Sequence, residues 1–350
     1  MKALGIGVIV YGHVAHASTV ALTPPIYVKQ LGVALFLFAA AFTLARERRA
    51  AVEVVFNRLF QVYLFGLTLA ALITVKGLLA GSGPALSNYL PFAAGANVLF
   101  DNFPANPTTW YIGTYLHLLI VWAVWLRRVR VRGWMVFAMI AIEIPIRAVL
   151  MRTAGGFVAY MLLTNWSAVF LLGMARGAQA AEARGGVAPY LAALAGVLAV
   201  GVAVGRWSGF VPTFPFMTLG RAPSFAGAVG VSAGVSFLYV VIAGLVFEVT
   251  RRVAAPAPVA FVARNSLIVF LAHMPVFLAL HPVLVAWGLG YWARVGVQLF
   301  VCLPGLAIVS EVVRAVVRPE KLRALAFEAL MPRRGAWGRP AVGVASLGER

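Results

Sequence analysis

The sequence predicts an all-α membrane protein: a polytopic bundle of about ten transmembrane helices with both termini cytoplasmic. Three observations lead there. Of 350 residues, 62% are hydrophobic and 11% charged, whereas a soluble domain carries about a quarter of its residues as Asp, Glu, Lys and Arg. So few charges cannot cover a water-facing surface, and most of this chain must be solvated by lipid. The second observation is a series of apolar runs of spanning length, and the third is the way the cations are distributed between them.

The runs fall near 3–22, 31–45, 54–80, 108–126, 133–151, 156–175, 187–206, 226–249, 259–280 and 288–313. The first lacks a strongly basic leader and holds His13 and His16, so it reads as a retained helix rather than a signal peptide. The second is short for a span, and the third opens on Asn57-Arg58. Between the third and fourth, residues 81–107 are rich in Pro and Asn and contain no Lys or Arg. Residues 207–224 form a second long connection, rich in Gly, Pro and Phe. Each fits a re-entrant or lid-like loop and a plain connector equally well. The transmembrane domain is expected over 1–316, and a basic cytoplasmic tail over 317–350 that lies along the anionic inner leaflet or is disordered.

Alternating the runs from a cytoplasmic N-terminus puts 22 of the 29 Lys and Arg on the cytoplasmic side. They include Arg46, Arg48 and Arg49, the group from Arg127 to Arg132, Arg251, Arg252 and the tail. That asymmetry follows the positive-inside rule, so the net charge of +19 reflects membrane topology rather than nucleic-acid binding. The single cysteine, Cys302, excludes an intrachain disulfide and a thiolate metal cluster, and no metal site is expected.

Ionisable groups inside a bilayer are costly, which makes them the candidates for function. His13 follows Lys2 by eleven residues, about 16 Å of helical rise, which places it near mid-membrane. Eleven steps of about 100° also bring Lys2 and His13 to nearly the same face. A neutral imidazole there is a competent general base; a packing histidine bonded to a neighbouring helix fits as well. Arg58 lies inside its helix and suits an anionic ligand, while Arg46, Arg48 and Arg49 read as topogenic. Trp110, Thr114 and His117 share one stripe at i, i+4 and i+7, a candidate cavity lining. Glu143 and Arg147, at i and i+4, read either as a self-neutralising buried pair or as part of an acceptor site. Arg264 joins Arg58 or anchors its helix end. It lies nine steps from His273 and so on the opposite face of a straight helix.

Six segments, in order, carry a resemblance. They are KALGIGVIVYGH at 2–13, LFLFAAAFTLARER at 35–48, FNRLFQVYLF at 56–65, TTWYIGTYLH at 108–117, NWSAVFLLGMARG at 165–177 and ARNSLIVFLAHMPVF at 263–277. Together they resemble the membrane acyltransferase type 3 family, whose first helix opens with an arginine, ten residues and a histidine. Lys2 replaces that arginine here, and Gln61 and Leu64 stand where a second arginine and a proline are common. The resemblance implies an integral-membrane O-acyltransferase that moves an acyl group from acyl-coenzyme A to a hydroxyl of a sugar-containing acceptor. That acceptor would be an envelope glycan, a glycolipid or a glycosylated metabolite. The resemblance makes His13 the catalytic residue and Arg58 donor-binding; Lys2, in the arginine's place, and Arg264, near its helix end, are expected to bind the donor with it. Trp110, His117, Glu143 and Arg147 are then expected on the acceptor side. Acyl-coenzyme A is a co-substrate, no cofactor is held permanently, and a multi-pass location in the cell (inner or plasma) membrane follows. The competing expectation is a transporter or flippase that uses the same buried charges without acyl chemistry.

Overall fold

The computed structural model describes residues 1–17, 29–83, 86–100, 109–179, 186–203 and 224–330. It is 86% helical, with no strand among the described residues. The first helices are α1 (Lys2–Ala17), α2 (Lys29–Leu44) and α3 (Ala51–Leu79), followed by the short α4 (Tyr89–Ala93) and α5 (Asn97–Phe100). Then come α6 (Trp110–Val124), α7 (Gly133–Thr153), α8 (Gly156–Met161), α9 (Ser167–Ala178) and α10 (Ala188–Ala203). The chain continues through α11 (Phe225–Thr250), α12 (Ala257–Ala286), α13 (Tyr291–Val297), α14 (Leu303–Val317) and α15 (Pro319–Leu330).

Five helical stretches are long and apolar enough to cross a membrane: α3, α7, α11, α12 and the continuous stretch Tyr291–Val317. The chain is thus an all-helical, multi-pass membrane protein. Two fully described runs form shorter helices than the sequence pattern suggests: that at 108–126 gives α6, and that at 156–175 is broken. The run at 156–175 divides into α8, a turn and α9, with Leu162 extended at φ −63° and ψ 149°. The interruption coincides with Asn165, whose side-chain and backbone oxygens both accept hydrogen bonds from Arg147. A local polar side chain with such a demand competes with helix continuation. A short α9 is tolerated because it lies inside the bundle, where neighbouring helices rather than lipid surround its ends; nearly every residue from Ser167 to Gly177 is buried.

Close helix contacts organise this core. A Cβ on Gly173 would sit 2.5 Å from the Phe38 carbonyl oxygen, and Gly177 is pressed in the same way onto Phe42. These glycines, four apart on α9, let its backbone meet α2 directly, the small-residue packing used where lipid supplies no hydrophobic drive. Arg46 closes the end of that seam by donating to the Gly177 carbonyl at 3.1 Å. Beyond it, Glu47 accepts from Arg49 at 2.9 and 2.7 Å, and these hydrogen bonds hold its carboxyl down to about 2 in the turn before α3. On the other side of α2, Gly32 receives α1 at Gly5 and Ile9.

α12 runs for 30 residues through Pro275 and Pro282, and a π-helical turn at Gln298–Cys302 precedes α14. The π turn lies just before Pro304, whose ring and missing N–H disfavour the regular ladder. Residues 319–330, at the start of the expected tail, form α15, which returns to α3 through Phe327 on Phe56 at 5.2 Å. The remaining tail, the outer part of the first run and the 207–223 connection lie outside the described residues.

Candidate functional site

α1 turns one face inward. Ile6, Ile9 and Val10 on it are at most 1% exposed, and His13, three and four residues on from that pair, continues the face. α12 does the same with Val269, Phe270, His273 and Phe277, and His273 is fully buried. The two helices pack together, and the histidines meet: His273 Nε2 lies 2.9 Å from His13 Nδ1. Their ring centroids are 4.8 Å apart.

The surroundings of His273 assign the protons. Its Nδ1 lies 2.6 Å from the Phe270 carbonyl oxygen and 3.2 Å from that of Val269. A carbonyl only accepts, so Nδ1 carries the hydrogen and Nε2 of the neutral ring carries the lone pair. His13 must then donate through Nδ1–H, which places its own lone pair on Nε2. The backbone of α12 thus sets the tautomer of His273, and His273 sets that of His13. Phe270 and Phe277 flank the His273 ring, with centroids 6.0 and 5.8 Å away.

From this pair an aromatic line descends toward the Arg-rich end. Phe270 meets Tyr111 at 5.2 Å, Tyr111 stacks on Tyr115 at 5.8 Å, and Tyr115 accepts from Arg58 Nη1 at 3.3 Å. Arg58 Nη2 donates to Thr43 Oγ1 at 2.9 Å. Among the described residues no carboxylate pairs with Arg58, and Lys2 is close enough for the two cations to repel each other. Arg58, held by neutral groups, retains its attraction for an anion.

The remaining predicted site residues lie elsewhere. Arg264 is 57% exposed and faces Glu311 at 3.4 Å, so the structure places it against α14 and not beside Arg58. Its neighbour Asn265 also donates to Glu311 and accepts from Ser310, which clips α12 to α14. Trp110 is buried against Tyr160 and Trp166, at 4.8 and 6.1 Å. Thr114 gives its hydroxyl to the Met161 carbonyl. His117 is half-buried, with Nε2 toward Gly95 of the α4–α5 turn.

Glu143 and Arg147 form the i, i+4 ion pair, at 3.4 Å and almost wholly buried. Arg147 donates to both oxygens of Asn165, to the Ser232 carbonyl and to Ser236 Oγ as well as to Glu143. Glu143 in turn accepts from Ser236 and from the Ala168 N–H. These bonds tie α7, α9 and α11 together and engage every nitrogen of the guanidinium.

Sequence reasoning missed His273, Tyr111 and Tyr115. His273 stands in a segment that carries the resemblance, but helical phase relates it only to residues on its own helix, such as Arg264. The partner that matters is 260 residues away.

A family model described as an acyltransferase domain, of type 3, matches residues 1–311. No curated protein and no solved structure matches the chain.

Proposed function

The chain belongs to the type 3 acyltransferase family, and from that premise we propose that it is an integral-membrane O-acyltransferase with His13 as general base. The observation that carries the proposal is the His13–His273 hydrogen bond at 2.9 Å, reached from the Arg-rich end through Arg58, Tyr115 and Tyr111. Acyl-coenzyme A is the donor, its phosphates held by Lys2 and Arg58 on the side where charge asymmetry puts the cytoplasm. The acceptor is a sugar hydroxyl of an envelope glycan, a glycolipid or a glycosylated metabolite.

His13 Nε2 takes the acceptor hydroxyl's proton as the oxygen attacks the thioester carbonyl. The tetrahedral adduct collapses, the carbon–sulfur bond breaks, and the leaving thiolate receives that proton from His13. During the protonated interval the positive charge on His13 is shared through Nδ1–H with His273 Nε2. His273 in turn points its own N–H at the α12 carbonyls. An acyl-histidine route would use the same nitrogen as nucleophile. His273 is fully buried and His13 half-buried; this supports partial exclusion of water, which would otherwise hydrolyse the thioester.

The test uses purified protein in proteoliposomes with a panel of acyl-coenzyme A thioesters, measuring free thiol and acylated sugar. Thiol released in step with a new acyl ester supports the proposal. Sugar movement across the bilayer with intact thioester would replace it with transport.

A further inference from the structure

The seam between α3 and α6 has two sides. Arg58 and Tyr115 meet on the inner one. Val62, Leu119 and Trp122, at most 7% exposed, close its middle. The outer side opens into a groove of about 860 Å³, lined by Val55, Leu59, Leu67, Ile120 and Ala123 with Arg128 at one end. At about 100° per residue, Leu59 and Leu67 lie about 100° and 180° around α3 from Arg58, and Ile120 about 140° around α6 from Tyr115; the lining residues Val52, Ile120 and Val124 are exposed. The groove therefore belongs to the perimeter of the bundle and not to the aromatic line that leads to His13.

Its shape and charge narrow what occupies it. The lining spans Ala51 to Leu67 along α3, about 24 Å of rise. One leaflet of hydrocarbon is about 15 Å deep, so the groove accommodates an extended acyl chain along its full depth. Apart from Arg128 and the ring hydroxyl of Tyr63, the lining offers only apolar side chains. Arg128 is exposed and has no carboxylate partner among the described residues. Its neighbour Arg127 is drawn instead over the Trp122 ring, 5.7 Å from the centroid. An unneutralised guanidinium at the mouth of an apolar trough matches a phosphate joined to hydrocarbon. It stands at the Arg-rich end, where an anionic leaflet is expected.

We infer that the α3–α6 groove binds one anionic glycerophospholipid, an acyl chain along α3 and its phosphate on Arg128. Phe56, which lines the groove, also packs against Phe327 of α15 with tilted rings, so the bound lipid borders the helix that returns to α3.

The test is native mass spectrometry of the delipidated full-length protein titrated with dipalmitoyl phosphatidylglycerol or dipalmitoyl phosphatidylcholine. Wild type is expected to hold one phosphatidylglycerol about five-fold more tightly than phosphatidylcholine, the preference one surface arginine supplies. Arg128→Ala is expected to bind both lipids alike at wild-type thermal stability. Ala123→Trp, which fills the trough, is expected to lose both; should it fail to fold, the Arg128→Ala comparison decides. Equal binding of the two lipids by wild type, or an undiminished preference in Arg128→Ala, overturns the inference. So does full binding by a folded Ala123→Trp.

Discussion

Replacing His273 with phenylalanine keeps a flat apolar ring between Phe270 and Phe277 but removes the acceptor of the His13 Nδ1–H bond. Two consequences are expected. Losing one intramolecular hydrogen bond costs about 0.5–1.5 kcal/mol, so the variant melts somewhat earlier while staying folded. The imidazole of His13 also loses the contact that fixes its tautomer. General bases contribute about 10²–10⁴-fold to rate, which caps what correct positioning can supply. The lower half of that range, a loss of about 10²–10³-fold in kcat, is the expected deficit, equivalent to roughly 2.7–4 kcal/mol of barrier. KM for the thioester is expected to stay within about two-fold, because Lys2 and Arg58 are untouched. His273→Gln supplies the control, since its amide oxygen can take the place of Nε2 as acceptor. It is expected to recover a large part of the activity that phenylalanine loses, which a purely structural role for His273 does not predict. The assay is thiol release under saturating acyl-coenzyme A, with thermal melting alongside. Wild-type turnover by a folded His273→Phe would refute the relay.

Three further outcomes follow from other contacts. Arg58→Ala is expected to raise KM for the donor about ten-fold or more, the loss of one charge-assisted contact of about 1.5–3 kcal/mol; kcat changes little, and Arg58→Lys recovers part of the affinity. Glu143→Gln leaves Arg147 charged, buried and without its counter-ion, so stability is expected to fall by about 3–5 kcal/mol, read as a lower melting temperature; kcat of the remaining folded protein is unchanged if the pair only ties α7 to α9 and α11. Gly173→Ala pushes a methyl to 2.5 Å from the Phe38 carbonyl oxygen, an overpacking cost of about 1–3 kcal/mol, whereas Gly296→Ala, with nothing within 4 Å of its added carbon, is expected to leave the melting temperature in place.

Particular residues show what the sequence made legible. The membrane class followed from composition, because no arrangement of this chain gives water enough polar surface. His13 was legible from its eleven-residue offset to Lys2 together with the ordered segments, and Arg58 from its place inside a helix. The Glu143–Arg147 pairing was legible from i, i+4 spacing alone, since both partners share one helix. His273 was not, because its role depends on which helix α12 packs against, and helical phase on a single helix says nothing about that. The count of spans is legible only in part, for a related reason: five described stretches are long and apolar enough to cross a membrane. Hydropathy cannot distinguish a helix that faces lipid along its whole length from one like α9, which is short, enclosed by neighbours and broken from α8 at Asn165. Arg264 illustrates the same limit: its position near a helix end fitted a donor contact, and only the packing of α12 on α14 showed Glu311 beside it.

The physical picture is a division of labour across four helices. α3 holds Arg58, α6 supplies the tyrosines between it and the histidines, and α1 with α12 holds the imidazole pair. Rigid support comes from the glycine-mediated contacts of α2 with α1 and α9, which fix the depth of His13 relative to Arg58.

The central claim is that acyl chemistry runs through His13. Purified wild type and His13→Ala, matched for folding by melting temperature, should be compared for acyl transfer from radiolabelled acyl-coenzyme A to the sugar acceptor. Wild type is expected to form acyl ester and free thiol together, and His13→Ala to fall at least about 10²-fold below it; equal rates from the two folded proteins would contradict the account.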